Sequence, residues 1–163
     1  MEMQHEHQSH TKASDKMMYR KLALMIILSF VAMYILMYAM EDSFSNVIPN
    51  VNQLYMAGLM SMAMVIIELA VMRATYKSRK LNVIILAVGF IALIGFYFGI
   101  RQQAAVGDKQ FLKSMIPHHG AAILMVEKTS LTDPEIKKLA QNIITAQEAE
   151  IAQMKAKLKE LDR

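Results

Sequence analysis

The segment 113–128 reads KSMIPHHGAAILMVEK, an apolar run with two adjacent histidines, His118 and His119, set between two methionines, Met115 and Met125. Imidazole nitrogen and thioether sulfur together form a soft donor set, suited to Cu(I) and, by the same softness, to Ag(I). At ~100° per residue, Met115, His118 and Met125 fall within roughly 80° of one another on a helix, and His119 points about 100° away from His118. His118 shares the stripe of the two methionines and is the stronger candidate. Packing offers a competing account. A single His on such a face is more often a hydrogen-bonded core residue, and a single Met usually fills space. Spacing alone leaves both accounts open. The chain has no Cys, which excludes disulfides, thiolate metal sites and cysteine nucleophiles, yet it has 16 Met among 163 residues.

The elements that must position these side chains lie in residues 101–163. Ten Lys and Arg alternate there with eight Asp and Glu, and the apolar residues become periodic. Gly107-Asp108 is a helix start with Asp108 as N-cap. Phe111, Met115, His118, Ala122 and Met125 then recur at spacings of three and four. Pro117 interrupts the run, and the unbroken register predicts a kink rather than a restart. SLTDPEIKK marks a turn and a second helix, with Thr132 and Glu135 at capping-box spacing and Pro134 in the first turn. The apolar seam of that helix breaks at Gln147 and Glu150 and resumes at Met154. In an antiparallel hairpin this polar break faces the His-Met cluster. A buried Glu is costly unless paired or metal-bound, so Glu150 and Met154 stand opposite that cluster as part of the pattern.

The preceding residues are of another kind. Runs 22–40, 54–72 and 81–100 contain one charged residue between them, Glu68. Each is roughly 20 residues and, at ~1.5 Å per residue, spans the ~30 Å hydrocarbon core. Three transmembrane helices are expected. Lys12, Lys16, Arg20 and Lys21 precede the first run; Arg73, Lys77, Arg79 and Lys80 separate the second from the third; the other short loop offers Glu41 and Asp42. The positive-inside rule places the N-terminus and the 73–80 loop in the cytoplasm, and everything after residue 100 outside. The chain thus divides into a disordered His/Met tail (1–20), a three-helix membrane domain (21–100) and an extracytoplasmic helical hairpin (101–163). Met1, Met3, His5, His7 and His10 in the tail are capable of weak metal capture. Met56, Met60 and Met64 form a ladder in the second span that either packs or passes Cu(I). Glu68 is expected to snorkel or to pair with Arg73. Gly95 and Gly99 form a GxxxG pair that favours close helix contact.

DKQFLKSMIPHHGAAILMVEK followed by LAQNIITAQEAEIAQMKAKL resembles the bacterial domain-of-unknown-function 305 family over residues 108–161. That resemblance implies a ferritin-like helical bundle. It also implies copper binding and a link to copper resistance, as in CopM-like members. Carried over residue by residue, it implies metal roles for Met115, His118, His119, Met125 and Met154, with Glu150 and Gln147 as lesser candidates. Asp108 matches too, though at a helix start it can serve as a cap. One motif copy and two long helices make half a bundle, so a homodimer or higher homo-oligomer is expected.

The expected protein is therefore all-α, an integral protein of the bacterial cytoplasmic (inner) membrane with a periplasmic hairpin. It binds Cu(I), or Ag(I), for sequestration, handover to a copper-handling protein, or resistance. Two alternatives stay open. Three spans, the Met ladder and the GxxxG pair resemble a copper-transporting oligomer, although the orientation of the tail argues against it. A metal-free dimerising membrane module is the other. An oxidase of the ferritin-like type needs Glu-x-x-His on bundle helices, and that spacing occurs only from Glu2 to His5 in the tail, so no enzymatic activity is expected. No nucleic-acid partner is expected either.

Overall fold

The computed structural model describes the backbone of residues 2–163 and the side chains from residue 15 onward. Among the described residues every regular element is helical. The chain forms two compact units. One comprises residues 1–34 and 55–101, the other residues 35–54 and 102–163.

The first unit is built from α1 (Glu2–Leu36), α2 (Val51–Val71) and α3 (Arg79–Arg101). The stretches Asp15–Met40, Val51–Val71 and Arg79–Arg101 are each long and apolar enough to cross a membrane. Their large apolar side chains, among them Leu24, Ile27, Leu28, Val83, Ile84 and Ile91, face outward. In water that exposure would be unfavourable over so continuous a surface; against lipid tails it is not. α1 begins at Glu2, so the backbone of 2–14 is helical where the sequence predicts a disordered tail; no Gly or Pro interrupts it. The metal-capture reading of Met1, Met3, His5, His7 and His10 concerns side chains outside the described residues.

Leu22, Val65, Leu69 and Tyr76 form the buried centre of this unit. α2 buries Ala57, Gly58, Ser61, Val65 and Leu69, which leaves Met56 and Met60 exposed and Met64 half-buried. The Ser61 hydroxyl donates to the Met33 sulfur at 3.6 Å. Gly58 is needed for contact: a Cβ there would lie 2.6 Å from the Phe96 ring. In the GxxxG pair, Gly99 lies against the Tyr55 ring, whereas Gly95 has open space beside it. Glu68 accepts a hydrogen bond from the Tyr76 hydroxyl at 3.1 Å, a partner the sequence does not suggest.

The second unit is a helical hairpin, α4 (Asp108–Lys128) and α5 (Pro134–Leu161), together with the 37–50 connection. A Lys109–Asp162 ion pair joins the start of α4 to the end of α5, as an antiparallel pair requires. Ile116, Ile123 and Ile151 form its core, with Ile48, Met154 and Leu158 packed against them. α4 runs through Pro117 as one helix. Its N-cap is Gly107, and Asp108 stands in the first turn, where its charge suits the helix dipole. The cap of α5 is Asp133 and not Thr132: its carboxylate accepts from the Glu135 and Ile136 amides at 2.8 and 3.0 Å. With Pro134 as the first helical residue, Asp133 is the position whose side chain reaches the free amides.

Candidate metal centre

α4 turns Ile116, Pro117, His119, Gly120 and Ile123 inward. His119 is 8% exposed, whereas His118 is exposed. The helix therefore presents the second histidine to the seam. The α5 packing selects this face, because Ile116 and Ile123 must reach Ile151, and His119 lies between them along the helix.

Both ring nitrogens of His119 have partners. Nδ1 is 2.8 Å from the Met115 carbonyl, one turn back on α4, and Nε2 is 2.7 Å from Glu150 Oε2 on α5. A carbonyl only accepts and an ionised carboxylate only accepts, so both contacts are hydrogen bonds when both ring nitrogens carry hydrogen. If the ring is neutral, the carbonyl selects the Nδ1–H tautomer and leaves the Nε2 lone pair aimed across the hairpin at Glu150. A backbone carbonyl holding Nδ1–H is the usual way that proteins orient an imidazole to bind a metal through Nε2. One turn before Glu150 on α5, Gln147 Oε1 is buried with no hydrogen-bond partner.

The thioethers are distributed differently. Met154 packs with Ile116, Ile123 and Ile151 as part of the apolar core. Met115 is half-buried and holds His119 through its backbone. Met125 is 54% exposed and lines an open apolar groove with Leu131, Ile136 and Leu139 toward the hairpin turn. The structure thus brings His119 and Glu150 together, with Gln147 a turn away on α5. His118 and Met125 stand apart from them. Among the described residues, no three His, Cys, Asp or Glu side chains are grouped to hold one metal ion.

Sequence reasoning missed one part of this unit. It reads Glu41 and Asp42 as loop charges that report orientation; the structure lays them on α4. A Cβ at Gly120 would lie 2.5 Å from Asp42 Oδ1, 2.6 Å from Glu41 Oε2 and 3.2 Å from Asn46 Nδ2. Asn46, only 3% exposed, donates to Asp42 Oδ1 at 2.6 Å. Glu41 Oε2 is buried without a partner, and burial, with the Asp42 charge adding to it, pushes the Glu41 carboxyl up to about 7. The connection is pinned along its length. The Val51 amide donates to Gln110 at 3.2 Å, the Ser114 hydroxyl to Asn50 at 3.3 Å, and Lys155 to the Ser45 hydroxyl at 3.0 Å. The available signal was Gly120 itself, since a glycine inside a helix weakens it by about 1 kcal/mol and often marks a close approach.

Comparison with known proteins adds two findings. The family model "Domain of unknown function (DUF305)" matches residues 100–158. An uncharacterized protein of Acanthamoeba polyphaga mimivirus is 37% identical over 144 residues, which cover 85% of this chain and 91% of the relative. A match of that length cannot fit within the hairpin, so it takes in the long apolar helices as well. No solved structure matches the chain.

Proposed function

Because this chain belongs to the domain-of-unknown-function 305 family, we propose that it is a membrane-anchored protein that binds a soft monovalent metal, Cu(I) or Ag(I), in its helical hairpin. The observation that carries this reading is the preset His119. Its Nδ1 is held by the Met115 carbonyl and its Nε2 is directed at the α5 seam, where Gln147 offers an unpartnered oxygen. His119 is the primary ligand. Because Glu150 contacts the same Nε2 that takes the metal, it steps aside or ligates the ion beside the ring when metal binds. The sulfur ligands come from Met115 and Met154, which flank the seam.

In this reading the protein sequesters the metal or hands it on at the membrane surface. The basic residues around positions 12–21 and 73–80 face the cytoplasm, and the hairpin lies outside. The full chain, purified in detergent, is loaded with Cu(I) and titrated with a colorimetric chelator. His119→Ala should weaken Cu(I) by about tenfold or more, and Met154→Leu by less. Unchanged affinity in both variants would sink the site. A specific observation favours a second reading, a metal-free dimerising module. The exposed Phe111, Met125, Ile136 and Leu139 are what an unfinished helical bundle leaves uncovered. Dimerisation together with no Cu(I) retained against the chelator would decide for it.

A further inference from the structure

A groove of ≈470 Å³ opens at the end of the membrane unit where α1 meets the start of α3. Its walls are Tyr19 and Ala23 on α1 and Ser78 and Leu81 at the start of α3; its rim carries Lys16 and Arg20, with Asp15 beside them. Lys16 and Arg20 are four residues apart on one helix, so they share a face, and both are exposed. The groove is held open by a fixed wall: the Tyr19 hydroxyl donates to Asn82 Oδ1 at 2.7 Å and accepts from the Ser78 amide at 3.2 Å. The Tyr19 ring also packs on Tyr76, with centroids 5.5 Å apart.

We propose that this groove binds one anionic phospholipid, its phosphate between Lys16 and Arg20 and its glycerol and upper acyl chain along Tyr19, Ala23 and Leu81. The inference rests on reading the three helices as membrane spans. Two cations and one carboxylate leave one net positive charge at the rim, the complement of a single phosphodiester. The groove lies where the apolar runs of α1 and α3 begin, the depth at which lipid headgroups sit and at which Lys and Arg extend toward the interface. The wall is apolar and passes into the outward-facing Leu24, Ile27 and Val83, Ile84 surfaces. A free phosphate would gain nothing from such a wall; a lipid tail would.

The test is native mass spectrometry of the full chain released from detergent micelles doped with equal phosphatidylglycerol and phosphatidylcholine. One phosphatidylglycerol should be retained in preference. The double variant Lys16→Gln/Arg20→Gln should lose that preference, by about fivefold for each charge removed. Ala23→Leu, which narrows the groove and leaves the charge alone, should also lower retention. Arg73→Gln/Lys77→Gln removes two charges from the neighbouring loop without touching the groove and should retain it. Equal retention of the two lipids, equal loss from both charge pairs, or release of the lipid by millimolar inorganic phosphate would overturn the proposal. A chain that stays dispersed without detergent and retains neither lipid would instead overturn the membrane reading on which it rests.

Discussion

His119 Nε2 and Glu150 Oε2 meet at 2.7 Å across α4 and α5, with the imidazole buried and the carboxylate side chain 55% exposed. The contact ties together the two helices at the level of the polar break in the α5 seam. It also separates the adjacent histidines in role: one is held by two partners and one faces outward. His118→Ala should therefore leave Cu(I) affinity within about threefold of wild type, while His119→Ala lowers it by about tenfold or more. Chelator competition on the full chain measures both. A larger loss from His118→Ala would reverse the assignment.

Gly120→Ala sets helix propensity against space. Alanine favours the helix by about 1 kcal/mol, but its Cβ would lie 2.5–2.6 Å from the Asp42 and Glu41 carboxylate oxygens. Those oxygens belong to a connection pinned at Gln110, Ser114 and Lys155, so the loop cannot shift freely. Net destabilisation of about 1–3 kcal/mol is expected, the usual range for overpacking. Proteolysis of the 41–46 segment should speed up with it. A higher melting temperature for Gly120→Ala would show that the loop gives way at no cost.

Glu41 makes the hairpin unit sensitive to pH in a stated direction. Its carboxyl is raised from 4.5 to about 7, by burial first and by Asp42 second. The folded chain then keeps a proton that the unfolded chain has released, so stability falls as pH rises from 4.5 toward 7, and the full penalty persists above that. Glu41→Gln should flatten this dependence and raise the melting temperature most at pH 7 and above. Thermal melts of both proteins across this window test it; a parallel pH profile would remove Glu41 as the cause.

Asp133→Ala should destabilise the hairpin by about 1 kcal/mol, because two first-turn amides of α5 lose their acceptor. Thr132→Ala should have little effect. Chemical denaturation of the two variants separates the positions, and an equal loss from Thr132→Ala would return the cap to that residue.

Much of the architecture was legible in the sequence, because it depends on length and period. A charge-poor run of roughly 20 residues makes a helix long and apolar enough to cross a membrane. The seam from Ile136 to Leu158 and the SLTDPEIKK turn define a helix pair without reference to anything distant. The metal-ligand candidates were legible as types, since His and Met carry their chemistry with them. Their grouping was not. A helix stripe about 80° wide accommodates Met115, His118 and Met125 equally well, and only the need to bring Ile116 and Ile123 against Ile151 settles the rotation, turning His119 inward and Met125 out. Residues 31 apart in the chain make the His119–Glu150 contact, and no local period encodes it. The same holds for Glu41 and Asp42. Their charge was read for orientation, a property of composition, whereas their place against Gly120 depends on the connection folding back onto α4. Local pattern determined which helices exist; long-range packing decided which of their faces meet, and therefore which of the reactive side chains share a site.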